Sequence, residues 1–434
     1  MDKKRIVDIF IVGFALFAMF FGAGNLIFPP ILGLESGTSW VASISGFAIT
    51  SVFATFLGIM TVVVSGDNFS DVGNRIHPIF SIAIASICML SIGPLIAIPR
   101  TAATTFEVGV QSIFPATKPV VSSIVFFILT FILALSSSKV VNIIGKFLTP
   151  VLLIILVILI VSGIISPIDP NLNLTLTNTE AFVLGFREGY QTMDLLASFI
   201  MAGIIISAIK GKGYTEEKEK KKTTTLSALI AMGCLLLIYG GLVYLGATSG
   251  YATDGNVSRT ELLLHISKGI LGPNGTIFLA ICVALACLTT SIALTSAVSD
   301  YFSRLSNRFL SYRLLVAIVC IISGYLSVHG VEAIINVAFP FLAVIYPIVV
   351  CMAVYIVFFG KFVPHKSPYV AAISITFVIA VIGLLGNLGI ATETMQQIVN
   401  AIPLNQYEIP WLLPSFVGFV LFAIIANKKG SQTI

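Results

Sequence analysis

Charge is what this sequence has least of. Of its 434 residues only 10% are Asp, Glu, Lys or Arg, while 57% are hydrophobic. A soluble globular chain carries about 25% charged residues, so the composition excludes that class and implies an integral membrane protein. Histidine is scarce too. His77, His265, His329 and His365 all lie near loops, and none pairs with a Cys, Asp or Glu at a catalytic spacing, which argues against an enzyme. The six cysteines, Cys88, Cys234, Cys282, Cys287, Cys320 and Cys351, sit inside apolar stretches without a C-x-x-C spacing and read as small packing residues. No G-x-x-x-x-G-K-[ST] loop occurs, so ATP-driven pumping by this chain is not expected. The repeated filter loops and charged rings of channels are missing as well, which disfavours a passive pore. No small-residue cleavage site follows the first apolar run, so that run is expected to remain as a helix.

What the sequence does have is apolar runs of membrane-spanning length. About twelve helices are expected, over 6–33, 41–65, 79–105, 118–136, 141–165, 181–208, 224–248, 275–302, 311–328, 332–359, 368–389 and 409–427. The formal charge of +5 invites a nucleic-acid partner until its distribution is read. Lys3, Lys4, Arg5, Arg75, Lys139, Lys146, the run 210–222, Arg304, Arg308, Arg313, Lys361, Lys366, Lys428 and Lys429 fall on one side. Only Lys118, Arg259 and Lys268 fall on the other. The positive-inside rule then places both termini in the cytoplasm, and the charge is topogenic. The expected surroundings are a lipid bilayer, with no nucleic acid and no obligate protein partner. A short helix around Glu261–Lys268 is expected to cap the opposite side.

The first run is interrupted near its middle by FFGAGN, Phe20–Asn25. Glycine weakens a helix interior by roughly 0.5–1 kcal/mol relative to alanine. An asparagine amide at that depth must find partners away from water. Five spans later the sixth run is interrupted in turn by GFREGYQTMDLLASF, Gly185–Phe199. Two broken helices in corresponding positions, running in opposite directions, are the mark of an inverted repeat. The halves would be 6–165 and 181–359, in one domain, with two further helices over 368–427. Broken helices expose amide N–H groups with the positive dipole end on one side, and carbonyls on the other. A zwitterionic amino acid matches both sets.

In the eighth run, Ala286, Thr289 and Thr290 are spaced i, i+3, i+4 and share one helix face. Two hydroxyls with the Ala286 carbonyl, joined by the Ala18 and Phe21 carbonyls at the first break, would make a hard-oxygen site for sodium. Such hydroxyls also bond back to their own helix. Arg100, Glu107, Arg187, Glu188 and Asp194 lie at or inside span boundaries, where charge costs roughly 2.5–3.5 kcal/mol near a helix centre. Arg100 and Glu107 read as an ion pair, an outer-gate element or a proton relay. Asp194 reads as a cap on the second half of the sixth helix. Arg5 and Asp300, at the ends of the first and eighth helices, read as an inner gate pair or as ordinary solvated charges.

FFGAGNLIFPP, GPLIAIPRTAATTFE at Gly93–Glu107 and ACLTTSIA at Ala286–Ala293 resemble the bacterial branched-chain amino acid:cation symporters over nearly the whole chain. The resemblance implies the LeuT-type fold of the amino acid/polyamine/organocation superfamily, an all-α polytopic architecture. It also implies uptake of leucine, isoleucine and valine across the bacterial plasma membrane, coupled to Na+ with H+ as the alternative. Carried onto this sequence, Ala23, Gly24 and Asn25 would meet the substrate carboxylate, and Gly189, Tyr190, Gln191 and Thr192 its ammonium group. Ala18, Phe21, Ala286, Thr289 and Thr290 would hold the cation of the second sodium site. Phe20, Met193, Leu195 and Leu294 are the apolar pocket candidates. The seventh run lacks the asparagine of a first sodium site, and 147–165 lacks the lysine of some proton-driven relatives. One coupled cation, sodium, is therefore expected.

Overall fold

The computed structural model describes residues 3–67, 69–74, 78–135, 140–172, 175–252, 257–388, 390 and 393–429. Arg75, His77 and Lys139, three of the residues used to read orientation and chemistry, lie outside them. Among the described residues there is no strand. The helices in chain order are α1 Lys3–Phe20, α2 Ala23–Ser36, α3 Trp40–Ala48, α4 Ala54–Ser65, α5 Phe69–Asn74, α6 Pro78–Leu90, α7 Ala97–Thr104, α8 Gln111–Ile113, α9 Pro119–Leu135 and α10 Val140–Ile165. They continue as α11 Asn178–Tyr190, α12 Asp194–Gly211, α13 Glu217–Ala247, α14 Arg259–Leu305, α15 Tyr312–Ser327, α16 Val331–Phe359, α17 Ser367–Asn387, α18 Glu393–Ala401 and α19 Leu412–Lys429. Among the described residues, seven helical stretches, Ala23–Ser65 and Arg259–Leu305 among them, are long and apolar enough to cross a membrane. The side chains agree. On α9, Val121, Ile124, Val125, Ile128 and Ile132 are exposed, and on α10 so are Ile154, Val157, Ile158 and Val161. Ridges of exposed aliphatic side chains suit hydrocarbon, not water.

Helix geometry departs from the sequence expectation in three places. The run expected as one helix over 41–65 passes through a π-helical turn at Ile49–Phe53. The third run kinks at Gly93, whose φ/ψ of −91°/−125° is not helical, just before Pro94. That kink lies in a π-helical stretch, Ser91–Leu95, and a third follows at Thr105–Val110. Proline has no N–H and crowds the preceding turn, so a Gly-Pro pair breaks the ladder there. The cap expected around Glu261–Lys268 is helical, but it is continuous with the eighth run, forming the first part of α14 up to a break at Gly272.

The chain forms two compact units. The first comprises 1–48, 89–193 and 226–338. Its centre is α14, which packs on α2, α7, α9, α10 and α15. Close approach of backbones organises it further. A Cβ added at Gly33 would run into the Val243 carbonyl, and one at Gly246 into the Pro30 carbonyl, so α2 and α13 touch backbone to backbone. Small residues permit such contacts between membrane helices, where apolar burial offers little drive because lipid is equally apolar.

The second unit comprises 49–88, 194–225 and 339–434. Within it α4 packs on α12, and α17 on α19. Tyr355 stacks on Phe419 at 4.6 Å between ring centres and shares a hydrogen bond of 2.9 Å with Ser415. Asp67, just after α4, is clamped by Lys210 at the end of α12 and by Lys220 of α13, the latter at 2.6 Å. Burial pushes the Asp67 carboxyl up. The hydrogen bonds and charges of the two lysines outweigh that and hold it below its ordinary value of 3.8. A depressed carboxylate stabilises the fold above its unfolded pKa and loses that contribution as pH falls through the folded value. Asp67→Asn is therefore expected to lower thermal stability at pH 7, by about 1 kcal/mol or less given the partial exposure. The gap to the parent protein should close as the pH is taken below 3.8, which a melting series in detergent would read.

Candidate functional site

The first unit holds the break between α1 and α2. The last helical residue of α1 is Phe20, Phe21 donates its N–H to the Phe17 carbonyl at 2.9 Å, and α2 begins at Ala23. In a continuing helix the Gly22 N–H would pair with the Ala18 carbonyl. It donates instead to Asn25 Oδ1 at 3.1 Å. That leaves the Ala18 carbonyl without its helical donor, as the cation reading of this residue requires. Pro29 and Pro30 lie within α2 and remove the donors that would meet the Asn25 and Leu26 carbonyls.

Asn25 has a different place from the one expected. Its amide caps the break through Gly22 and donates to the Tyr239 hydroxyl of α13. The side chain, 2% exposed, is thus turned to the protein.

Thr290 of α14 packs against this break. A Cβ at Gly22 would come within 3.2 Å of Thr290 Oγ1. That hydroxyl is buried without a hydrogen-bond partner among the described residues. Thr289 Oγ1 bonds back to the Ala286 carbonyl at 2.8 Å. The structure therefore brings Gly22 and Thr290 together, at a break that also frees the Ala18 carbonyl. Leu294, one turn along α14, is buried.

The second break runs from Tyr190, the end of α11, through Gln191 and Thr192 to Asp194. Met193 adopts φ +60°, a left-handed conformation that is costly for a residue with a side chain. The Gly189 carbonyl accepts from Thr192 Oγ1 at 3.0 Å. Gln191 is buried, and its Oε1 has no partner among the described residues. Asp194 is the first residue of α12, where a carboxylate meets the positive end of the helix.

Arg100 lies beside both breaks. It is 3% exposed, on α7. Its Nη1 donates to the Gln191 carbonyl at 2.7 Å, and a Cβ at Gly24 would stand 2.6 Å from its Nη2. The guanidinium lies over the Phe28 ring, 5.2 Å from its centre. Glu107 takes part elsewhere: its carboxylate accepts from the Thr260 hydroxyl at 2.8 Å and from the Val331 N–H at 2.9 Å. Asp300 pairs with Arg304 on its own helix at 2.8 Å rather than standing as a partner for Arg5.

A charge cluster not expected from the sequence joins the C-terminal turn of α11 to the N-termini of α14 and α16. Arg259 reaches Glu332 at 2.6 Å and Glu188 at 3.3 Å, and its guanidinium too lies over the Phe28 ring, 5.3 Å from its centre. Arg259→Ala is expected to cost about 1–3 kcal/mol, between an exposed pair and a buried one. Arg259→Lys should recover less than half, because the guanidinium meets Glu332 and Glu188 through two separate nitrogens, a spread that a single ammonium nitrogen lacks. Melting temperatures of the two variants in detergent would check this. Equal melting of parent and alanine variant would reduce the cluster to surface decoration.

Comparison with known proteins follows from this geometry. A family model described as branched-chain amino acid transport protein matches residues 5–429. The branched-chain amino acid permease BrnQ of Bacillus subtilis is 35% identical, covering 98% of this chain and 98% of its own length. The permease BraB of the same organism is 35% identical, covering 96% and 95%. Among solved structures, the nucleobase-cation-symport-1 family transporter Mhp1 in a closed conformation aligns over 97% of this chain and 92% of its own, with a TM-score of 0.64 at 14% identity. MhsT in complex with L-phenylalanine aligns over 96% and 98%, with a TM-score of 0.56 at 15% identity. At those identities the structures show the fold, which is LeuT-type.

Proposed function

This chain belongs to the branched-chain amino acid transport protein family, and from that premise we propose that it takes up leucine, isoleucine and valine by symport with sodium. It is a multi-pass membrane transporter and not an enzyme. Both termini face the cytoplasm of a bacterial cell in this reading, and the halves 6–165 and 181–359 form the inverted repeat, with 368–427 outside it. One observation supports the cation site above the rest. The first helix break frees the Ala18 carbonyl, and at Gly22 of the same break stands the buried Thr290 hydroxyl, unsatisfied among the described residues. Oxygen donors of this kind suit a hard monovalent cation. Phe21, Ala286 and Thr289 complete the proposed shell.

The substrate would lie at the same break, its carboxylate toward the start of α2 and its ammonium toward Gly189–Thr192. Cation and substrate then share one broken helix. Whichever binds first favours the conformation the other needs, and the coupling is reciprocal. Alternating access moves one set of helices against the rest around this fixed centre. An apolar side-chain pocket distinguishes the three substrates poorly, since one methylene is worth about 1–3 kcal/mol. Competition tests this reading: unlabelled isoleucine and valine should each suppress labelled leucine uptake by reconstituted protein. Independent uptake of the three would reject a single aliphatic pocket.

A further inference from the structure

We propose that Arg100 is the anchor for the substrate carboxylate, a role that rests on the transport reading above. Three observations in the first unit converge on it. The first is position. One buried guanidinium donates to the Gln191 carbonyl at the second break and occupies the space that a side chain at Gly24 would take at the first. Gly24 carries no side chain where Nη2 approaches, so the arginine reaches the start of α2.

The second is electrostatic. The start of α2 is the positive end of a helix, and the amides of Ala23, Gly24 and Asn25 point there. A guanidinium placed beside that end adds charge of the same sign. The arrangement concentrates positive potential at one point, which disfavours the empty site and favours an anion within it. A planar guanidinium presents paired N–H groups that match the two oxygens of a carboxylate. Phe28 and the Gln191 carbonyl hold the plane in place.

The third is chemical. Of the other polar side chains at the first break, Asn25 spends its amide on Gly22 and Tyr239, and Thr290 is assigned to the cation. Side-chain recognition of the carboxylate therefore falls to Arg100. The acceptor for the ammonium end is at hand in the same turn: Gln191 Oε1 is buried with no hydrogen-bond partner among the described residues. A ligand with a carboxylate and an ammonium on one carbon answers both groups, and a carboxylic acid or an amine alone answers one.

The test compares leucine with leucinamide, which keeps the side chain and the ammonium but replaces the carboxylate with a neutral amide. Ligand-induced thermal-shift titrations use the purified full chain. The parent protein should bind leucine at least about 100-fold more tightly than leucinamide. In Arg100→Gln, leucine affinity should drop about 10- to 100-fold and the preference should collapse to within about threefold. Arg100→Lys, which keeps charge without the fork, should fall between. A purely structural arginine would weaken both ligands alike and leave the ratio standing. An unchanged ratio in either assembled variant overturns the anchor. So does equal binding of the two ligands by the parent protein, which needs no variant to fold. Failure of the parent protein to bind leucine, isoleucine or valine would overturn the transport reading instead.

Discussion

Gly185→Leu is expected to yield no monodisperse protein, and Gly46→Leu the same. The two glycines face each other's helices. A Cβ at Gly185 would run into the carbonyl oxygen of Ser43 on α3, and one at Gly46 into the carbonyl oxygen of Phe182 on α11. The obstacle in both cases is backbone, which cannot rotate aside as a side chain can. Overpacking a core costs typically about 1–3 kcal/mol and more where nothing yields. Here α3 and α11 would have to separate along their whole contact, and Ser43 and Phe47 between them are fully buried. Gly233 of α13 is the control, since a Cβ there meets nothing within 4 Å. Gly233→Ala should assemble normally, with a gain of roughly 0.5–1 kcal/mol from helix propensity. Fluorescence-detected gel filtration of the three variants reads the contrast. A monodisperse Gly185→Leu protein would show that the two helices do not touch as described.

Thr290→Val is expected to assemble and to need far more sodium for uptake. Valine matches threonine in shape. The hydroxyl it removes has no partner among the described residues, so little stability leaves with it. What goes is one oxygen facing the break between α1 and α2. Removing one ligand should raise the sodium concentration for half-maximal leucine uptake by at least about tenfold, the equivalent of 1.4 kcal/mol. Thr289→Val should act through a different route. Its hydroxyl already bonds the Ala286 carbonyl at 2.8 Å, so the loss frees that carbonyl as well as deleting an oxygen. The sodium titration of uptake in both variants separates these. Unaltered sodium dependence in Thr290→Val would move the cation away from this face of α14.

The helix breaks were legible because their causes are local. Two glycines and an asparagine inside an apolar run, and Gln191–Asp194 inside another, cannot continue a membrane helix cheaply, and α1 and α11 do end there. The kink at Gly93 was equally local, and Gly-Pro in the motif was its signal, but a long apolar run masked it. What the sequence could not carry was which side chain answers which gap. Asn25 caps its own break because Tyr239, 214 positions away, comes to its amide. Arg100 turns toward Gln191 and away from the pairing its spacing with Glu107 suggested, and Glu107 is taken by Thr260 and by the Val331 N–H. Arg259 looked like a sparse charge in a loop, and its role depends on Glu188 and Glu332 arriving from two other helices. Long-range pairings of this kind leave no periodicity and no spacing to read.

The decisive measurement is labelled-leucine accumulation in proteoliposomes under an imposed sodium gradient, an imposed proton gradient, and neither. Sodium-driven symport predicts accumulation above equilibrium with the sodium gradient alone, and loss of that accumulation in Thr290→Val. Accumulation driven by protons alone, or mere equilibration under every gradient, would contradict it.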